Sequence, residues 1–320
     1  MSNGILRLYG CGGAGINIAT FFNGGKTEEG SAEIRVSAID TSRSNLSADL
    51  NDSQCFILPD VDGSGKLRKQ NHVEIASAVK QILVQQAPED FNIVCFSASG
   101  GSGSVIGPLL ISELLARNAP VVAVVIGSEE SFITAQNTLN TLKSLEAIAA
   151  NREQPIVMSY AHNSKDSKRS DIDTFVRFTI AALAVLASGK IAEMDRQDIA
   201  NFLQYQKVTS MPARLSSLNI VKELSGLKEI SNIIALANVF ADSDGEPISV
   251  TPEYVATGYS TVKPVGGKSL HYAINIDEIN LIVKSIRELV ENLDNVRRAT
   301  TLAPLAIDKN DEISATGLIL

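Results

Sequence analysis

The sequence predicts an α/β protein: a Rossmann-like parallel sheet with helices on both faces, then one long central helix, a smaller α+β unit and an extended C-terminal tail. Three observations carry the prediction. Unbroken β-branched runs, such as Pro120 to Ile126, alternate with helix-period segments from Ile5 to Tyr160, and strands covered on both faces read as continuous apolar runs. Two of these runs end in glycine turns that open directly into helices, at Gly10 to Gly15 and at Ser97 to Ser104. Beyond Asp171 the alternation gives way to one long apolar helix and then to shorter, mixed segments, the mark of a second unit.

Taken in order, Ile5 to Tyr9 reads as a strand and Ile16 to Phe22 as the helix that follows the first glycine turn. Glu33 to Ile39 and Gln54 to Leu58 read as strands, Val73 to Gln86 as a helix, and Asn92 to Phe96 as the strand before the second glycine turn. A helix from Val105 to Asn118, the strand Pro120 to Ile126, a helix from Phe132 to Ala149 and the strand Pro155 to Tyr160 complete the first half. The polar connector Ala161 to Arg169 leads into the long helix Asp171 to Ala187. After it come short helices at Asp195 to Leu203 and Val221 to Leu227, strands at Ile233 to Val239, Tyr254 to Ser260 and Leu270 to Ile276, and an amphipathic helix from Ile279 to Arg298. Residues 302 to 320 hold Pro304, three acids and an apolar end, and read as a tail.

Composition narrows the function. A chain of 320 residues has material for two apolar cores. A net charge of -8 and an acidic pI of 5.1 argue against direct nucleic-acid binding, which calls for clustered Lys and Arg. Cys11, Cys55 and Cys95 are widely spaced and read as buried free thiols of a reducing cytoplasm. The longest apolar stretch, Thr179 to Ala187, is too short to cross a bilayer, so no membrane role is expected. His72, His162 and His271 have no metal-ligand spacing, and no protein-held metal site is expected.

The glycine turns carry the chemistry. A turn between strand and helix exposes backbone N–H groups at the positive end of a helix dipole, a natural seat for phosphate oxygens. Ser97 to Ser104 reads Ser-Ala-Ser-Gly-Gly-Ser-Gly-Ser, and Gly10, Gly12 and Gly15 also have the G-x-G-x-x-G spacing of dinucleotide-binding proteins, with Asp40 after the next strand. Gly63-Ser64-Gly65-Lys66 has part of a Walker A loop, but Asp60 stands at its first glycine and Leu67 at its magnesium-binding hydroxyl, which disfavours a P-loop enzyme.

Together these motifs resemble the tubulin and FtsZ superfamily. Ser99 to Val105 matches that family's G-G-G-T-G-S-G signature with Ser102 for Thr and Val105 for the last Gly, and Glu193-Met194-Asp195-Arg196-Gln197-Asp198 resembles its N-x-D-x-x-D loop, with Glu193 for Asn. The likeness runs in the expected order from residue 4 to about 300. Chain length and the short acidic tail resemble the phage-encoded PhuZ type most.

The resemblance implies a GTP-binding domain at 1–165, a central connecting helix at 166–190, a C-terminal activation domain at 191–300 and a tail at 301–320. It implies a polymerising GTPase that takes GTP or GDP with Mg2+. Gly12, Gly13, Gly100, Gly101, Ser102, Gly103 and Ser104 would hold phosphates, with Cys11, Asn17, Asp40 and Thr41 beside the nucleotide and Glu130 near the ribose. Asn163 and Asp173, with Asp171 two residues earlier as the alternative, would recognise guanine, since a carboxylate accepts two hydrogen bonds from its N1–H and amino group. Asp195 and Asp198 would enter the next subunit's site and position the attacking water. Asp308, Asp311 and Glu312 would contact the neighbouring subunit, on a basic surface of Lys66, Arg68 and Lys69. Such filaments would position phage DNA, a phage nucleus or capsids in the cytoplasm of an infected bacterium.

Other readings stay open at the level of sequence. Asp195 and Asp198 also suit simple helix capping. An NAD-dependent Rossmann oxidoreductase would use Gly10, Gly12, Gly15 and Asp40, and a non-hydrolysing GTP-binding scaffold would share every nucleotide contact.

Overall fold

The computed structural model describes residues 4–24, 30–59, 61–243, 245–261 and 267–299. Its first half alternates strand and helix: β1 Ile5–Cys11, α1 Gly12–Phe21, β2 Glu33–Asp40, β3 Cys55–Ile57, α2 His72–Gln85, β4 Phe91–Ser97, α3 Gly103–Ala116, β5 Val121–Ser128, α4 Phe132–Arg152 and β6 Ile156–Asn163. Then come α5 Arg169–Leu186, β7 Ile191–Ala192, α6 Arg196–Leu203, β8 Leu215–Val221, α7 Leu224–Leu227, β9 Ala235–Phe240, β10 Tyr254–Ser260, β11 Leu270–Asn275 and α8 Asp277–Ala299.

Eleven strands of the described residues form one sheet in the order β3-β2-β1-β4-β5-β6-β8-β11-β9-β10-β7. The block from β3 to β8 is parallel throughout, while β11 runs antiparallel to both β8 and β9. Period-two alternation explains why those parallel strands are apolar along their whole length. Leu6, Leu8, Ile93, Cys95, Val122 and Val124 face α1 and α5 on one side. Tyr9, Val94, Phe96, Ala123 and Val125 face α2, α3, α4 and α8 on the other. Within α5, residues 182 to 186 are all buried, so its last turns are apolar on every side.

One expected element is corrected. Val221 to Leu227 is not a helix: Leu215–Val221 is the strand β8, and only the single turn Leu224–Leu227 is helical. Ser216 and Ser217 are buried in β8 and mask its apolar pattern, because β6 and β11 flank it on either edge. The tail at 301–320, with Asp308, Asp311 and Glu312, lies outside the described residues.

Candidate functional site

A cavity of about 880 Å³ opens at the carboxyl ends of the parallel strands, beyond Cys11, Asp40, Ser97, Ser128 and Asn163. Ligands of open parallel sheets bind at this edge, where helices begin. Both glycine turns reach it. Gly12 has φ +69°, and a Cβ there would come 2.8 Å from the backbone N of Gly103; a Cβ on Gly103 would come 2.6 Å from the carbonyl oxygen of Cys11. The two turns therefore touch, and only glycine allows that approach.

The helices that spring from these turns are left open to a ligand. Neither α1 nor α3 has a side-chain cap at its N-terminus, whereas α4 is capped by Ser131 and α6 by Asp195. First-turn N–H groups without an internal partner need an acceptor, and two such helix ends converging on one cavity favour a polyanion.

Of the residues singled out from the sequence, Cys11, Gly12, Gly13, Asn17, Asp40, Gly100, Gly101, Ser102, Gly103, Glu130, Asn163 and Asp173 line this cavity. Asp173 lines the cavity and Asp171 does not. Thr41 and Ser104 lie behind the wall: the Thr41 and Ser102 hydroxyls are 2.5 Å apart, and Ser104 Oγ donates to the carbonyls of Gly100 and Gly101 at 2.7 and 3.0 Å. Both oxygens of buried Asp40 are engaged, Oδ1 by Thr41 N at 2.7 Å and Oδ2 by Asn45 Nδ2 at 2.8 Å. That carboxylate pins its own loop and is poorly placed to take a ribose, as the dinucleotide reading requires. Burial drives the Cys11 thiol well above its ordinary range, so it packs as a neutral group.

At the far end Glu130 joins two elements: Asn163 Nδ2 donates to its Oε1 at 3.3 Å and Arg169 Nη2 at 2.6 Å. Arg169 was not foreseen, and neither was the loop Gly63 to Lys66, which forms part of the wall. The loop's signal was present, since it is a third glycine-rich turn after a strand. Arg68 corrects the expected basic surface. Its guanidinium is folded inward onto α4, donating to Asn137 O at 3.2 Å, to Ser144 Oγ at 3.3 Å and to Thr141 Oγ1, and burial lowers its pKa.

Asp195 and Asp198 lie elsewhere, beside a groove of about 1170 Å³ lined by Phe91 at the start of β4, Pro120 just before β5, and the last turn of α5. This is the amino end of the same parallel strands. Seven-residue β4 separates the two ends by roughly 20 Å. Asp195 Oδ1 accepts from the N–H groups of Gln197 and Asp198 at 2.7 and 3.0 Å, and Asp198 Oδ2 accepts from Asp195 N at 3.0 Å. Capping is thus present in full. Asp198 also meets Tyr254 OH at 3.3 Å, and a two-armed Arg196–Asp90 pair at 3.1 and 2.9 Å braces the loop, leaving Asp195 exposed at the surface. Among the described residues no His, Cys, Asp and Glu cluster could hold a metal, and no helix is long and apolar enough to cross a membrane.

Comparison with known proteins agrees with this geometry. The Tubulin/FtsZ family GTPase domain matches residues 6–163, and the C-terminal domain of phage tubulin-like proteins matches residues 194–279. A phage tubulin-like protein of Pseudomonas phage PhiPA3 is 31% identical over 97% of this chain and 98% of its own length. A protofilament structure of TubZ from bacteriophage PhiKZ superposes with a TM-score of 0.88 at 27% identity, covering 98% of this chain and 99% of that one. A GDP complex of the phage tubulin PhuZ gives a TM-score of 0.87 at 26% identity over 99% of both chains.

Proposed function

Because the chain belongs to the tubulin/FtsZ GTPase family, among its phage tubulin-like proteins, we propose that it polymerises head to tail and hydrolyses GTP at the junctions between subunits. The observation that carries this reading is the placement of the nucleotide cavity and the Asp195–Asp198 loop at opposite ends of one parallel sheet. No conformation of side chains spans that length within a subunit. Stacking one subunit on the next brings the two ends together, a heterologous contact that repeats without closing.

In this mechanism the two glycine turns and the first turns of α1 and α3 bind the phosphates. Asp173 and Asn163 hold guanine, and Glu130 the ribose. Asp195 and Asp198 of the adjoining subunit orient a water for in-line attack on the terminal phosphate, which needs positioning and charge neutralisation more than covalent help. The donors at the phosphate end are hydroxyls of Ser64 and Ser102. Oxygen donors of that kind would suit Mg2+, which would supply charge neutralisation beside the phosphates. GDP in the PhuZ structure and the protofilament of the PhiKZ protein support the nucleotide and the assembly. The phage origin of the relatives supports filaments that position phage DNA, a phage nucleus or capsids in the host cytoplasm; the acids Asp308, Asp311 and Glu312 would contact the next subunit.

Phosphate release and right-angle light scattering, followed together after adding GTP or ATP with Mg2+ across a series of protein concentrations, test the proposal. Scattering with GTP alone above a threshold, and hydrolysis that rises more steeply than linearly through that threshold, is the expected result. Turnover strictly proportional to protein, with no scattering, would sink it.

A further inference from the structure

We propose that Lys66 supplies, from within its own subunit, the positive charge opposite the terminal phosphate of the bound nucleotide, and that Arg68 positions it. The assignment rests on the GTPase reading above. Only two cations line the cavity within the described residues, Lys66 and Arg169. Arg169 is paired with Glu130. Lys66 gives its carbonyl to Asn137 Nδ2 at 2.8 Å, while its ammonium has no partner among the described residues.

Sheet order says which phosphate Lys66 meets. The base-end residues Asn163 and Asp173 sit at β6 and α5, the glycine turns follow β1 and β4, and the Lys66 loop follows β3 at the opposite margin of the sheet. A nucleotide laid across these strand ends, with its base at β6, points its last phosphate toward β3. The loop is pressed directly on the phosphate-binding turn: a Cβ on Gly101 would come 2.6 Å from Ser64 Cβ and 3.2 Å from the backbone N and Cα of Lys66. Ser64 Oγ lies 2.9 Å from Ser102 Oγ, which in turn meets Thr41. Hydroxyls thus tie three loops into one wall.

Arg68 anchors this wall from behind. Among the described residues its guanidinium meets no carboxylate and spends its donors on three neutral oxygens of α4, so its net effect is to hold the loop rather than to meet a ligand. Lys66 itself is held at φ +63°, a backbone state that a lysine keeps only where its surroundings impose it. GDP lacks the group Lys66 would face. The lysine therefore sets the preference for triphosphate over diphosphate, and with it which nucleotide state assembles.

The test is titration of full-length protein, held below its assembly threshold, with GTPγS and with GDP. For Lys66→Ala and Lys66→Gln we expect GTPγS affinity to fall at least about tenfold, a loss of about 1.4 kcal/mol, with GDP affinity within about threefold of wild type. Lys66→Arg keeps the preference. Arg68→Ala loses part of it, and adding Arg68→Ala to Lys66→Ala costs no further preference, because Arg68 acts through Lys66. Equal losses for both nucleotides, no loss, or an additive double variant overturns the assignment while leaving the GTPase reading intact. Wild-type protein that binds neither nucleotide overturns the GTPase reading and this one with it.

Discussion

Mixing two separately disabled subunits discriminates junction catalysis from catalysis within one chain. Asp198→Asn keeps an oxygen to accept the Asp195 N–H, so α6 stays capped while the anionic carboxylate is lost. Removing a group that positions or deprotonates water should slow turnover by roughly 10²- to 10⁴-fold. Gly101→Val disables the other end, because even a Cβ at that position would come 2.6 Å from Ser64. Each variant alone is nearly inactive. In a mixed filament, however, the sound cavity of an Asp198→Asn subunit can meet the sound acid loop of a Gly101→Val subunit. If neighbours assort at random in an equimolar polymer, half the cavities and half the loops are sound, so about one quarter of the junctions regain turnover. The fraction of Gly101→Val actually incorporated is read by pelleting with a labelled subunit, and the expected quarter is scaled by it. Phosphate release that stays at the sum of the two separate variants, despite co-pelleting, would refute the argument from strand polarity.

Two further outcomes follow from local geometry. Gly12→Ala forces a side chain into the left-handed region at φ +69° and against Gly103; it should cost about 2 kcal/mol, lower Tm by roughly 4 °C and abolish nucleotide binding, as calorimetry and a filter assay would show. His271 is buried against Asn238 Oδ1 at 2.8 Å, and burial lowers its pKa from 6.5 to about 4, opposed by the weaker pull of Glu223. Its neutral form is the one the fold favours, so the stability it contributes is full above pH 6.5 and is lost as pH falls toward 4, up to roughly 3 kcal/mol. Urea melts across that window should show the loss, and His271→Gln should flatten it.

Much of this was legible before the structure because the strands of a buried parallel sheet are uniformly apolar and glycine turns mark their ends. Boundaries shifted for a definable reason: α1 begins at Gly12 rather than Ile16, because helical hydrogen bonding starts inside the glycine turn where apolar periodicity gives no signal. The strand β8 escaped notice because Ser216 and Ser217 are buried in it. Twelve of the residues that the family resemblance singled out line the cavity, yet Arg169 and the Gly63–Lys66 loop were not among them. Their membership depends on contacts between elements far apart in sequence, such as Gly101 against Ser64. Spacing could show that Asp195 and Asp198 share a helix turn, but only strand direction could show that they stand at the far end of the molecule from the cavity.

The central helix α5 has its first turn, with Arg169 and Asp173, at the nucleotide cavity and its last turn, at Leu186, in the groove beside Asp195. Its 18 residues make a rod of about 27 Å. Rods of this kind have no slack. Adding one residue would lengthen it by only about 1.5 Å but turn everything beyond by about 100°, carrying buried faces such as Ile180 and Leu183 out of register with the sheet. Surface loops can gain or lose residues at little cost. Within this chain α5 is therefore a ruler: insertions that drift freely in the connectors are forbidden there, and the distance between the cavity and the Asp195 groove is written in the length of a single helix.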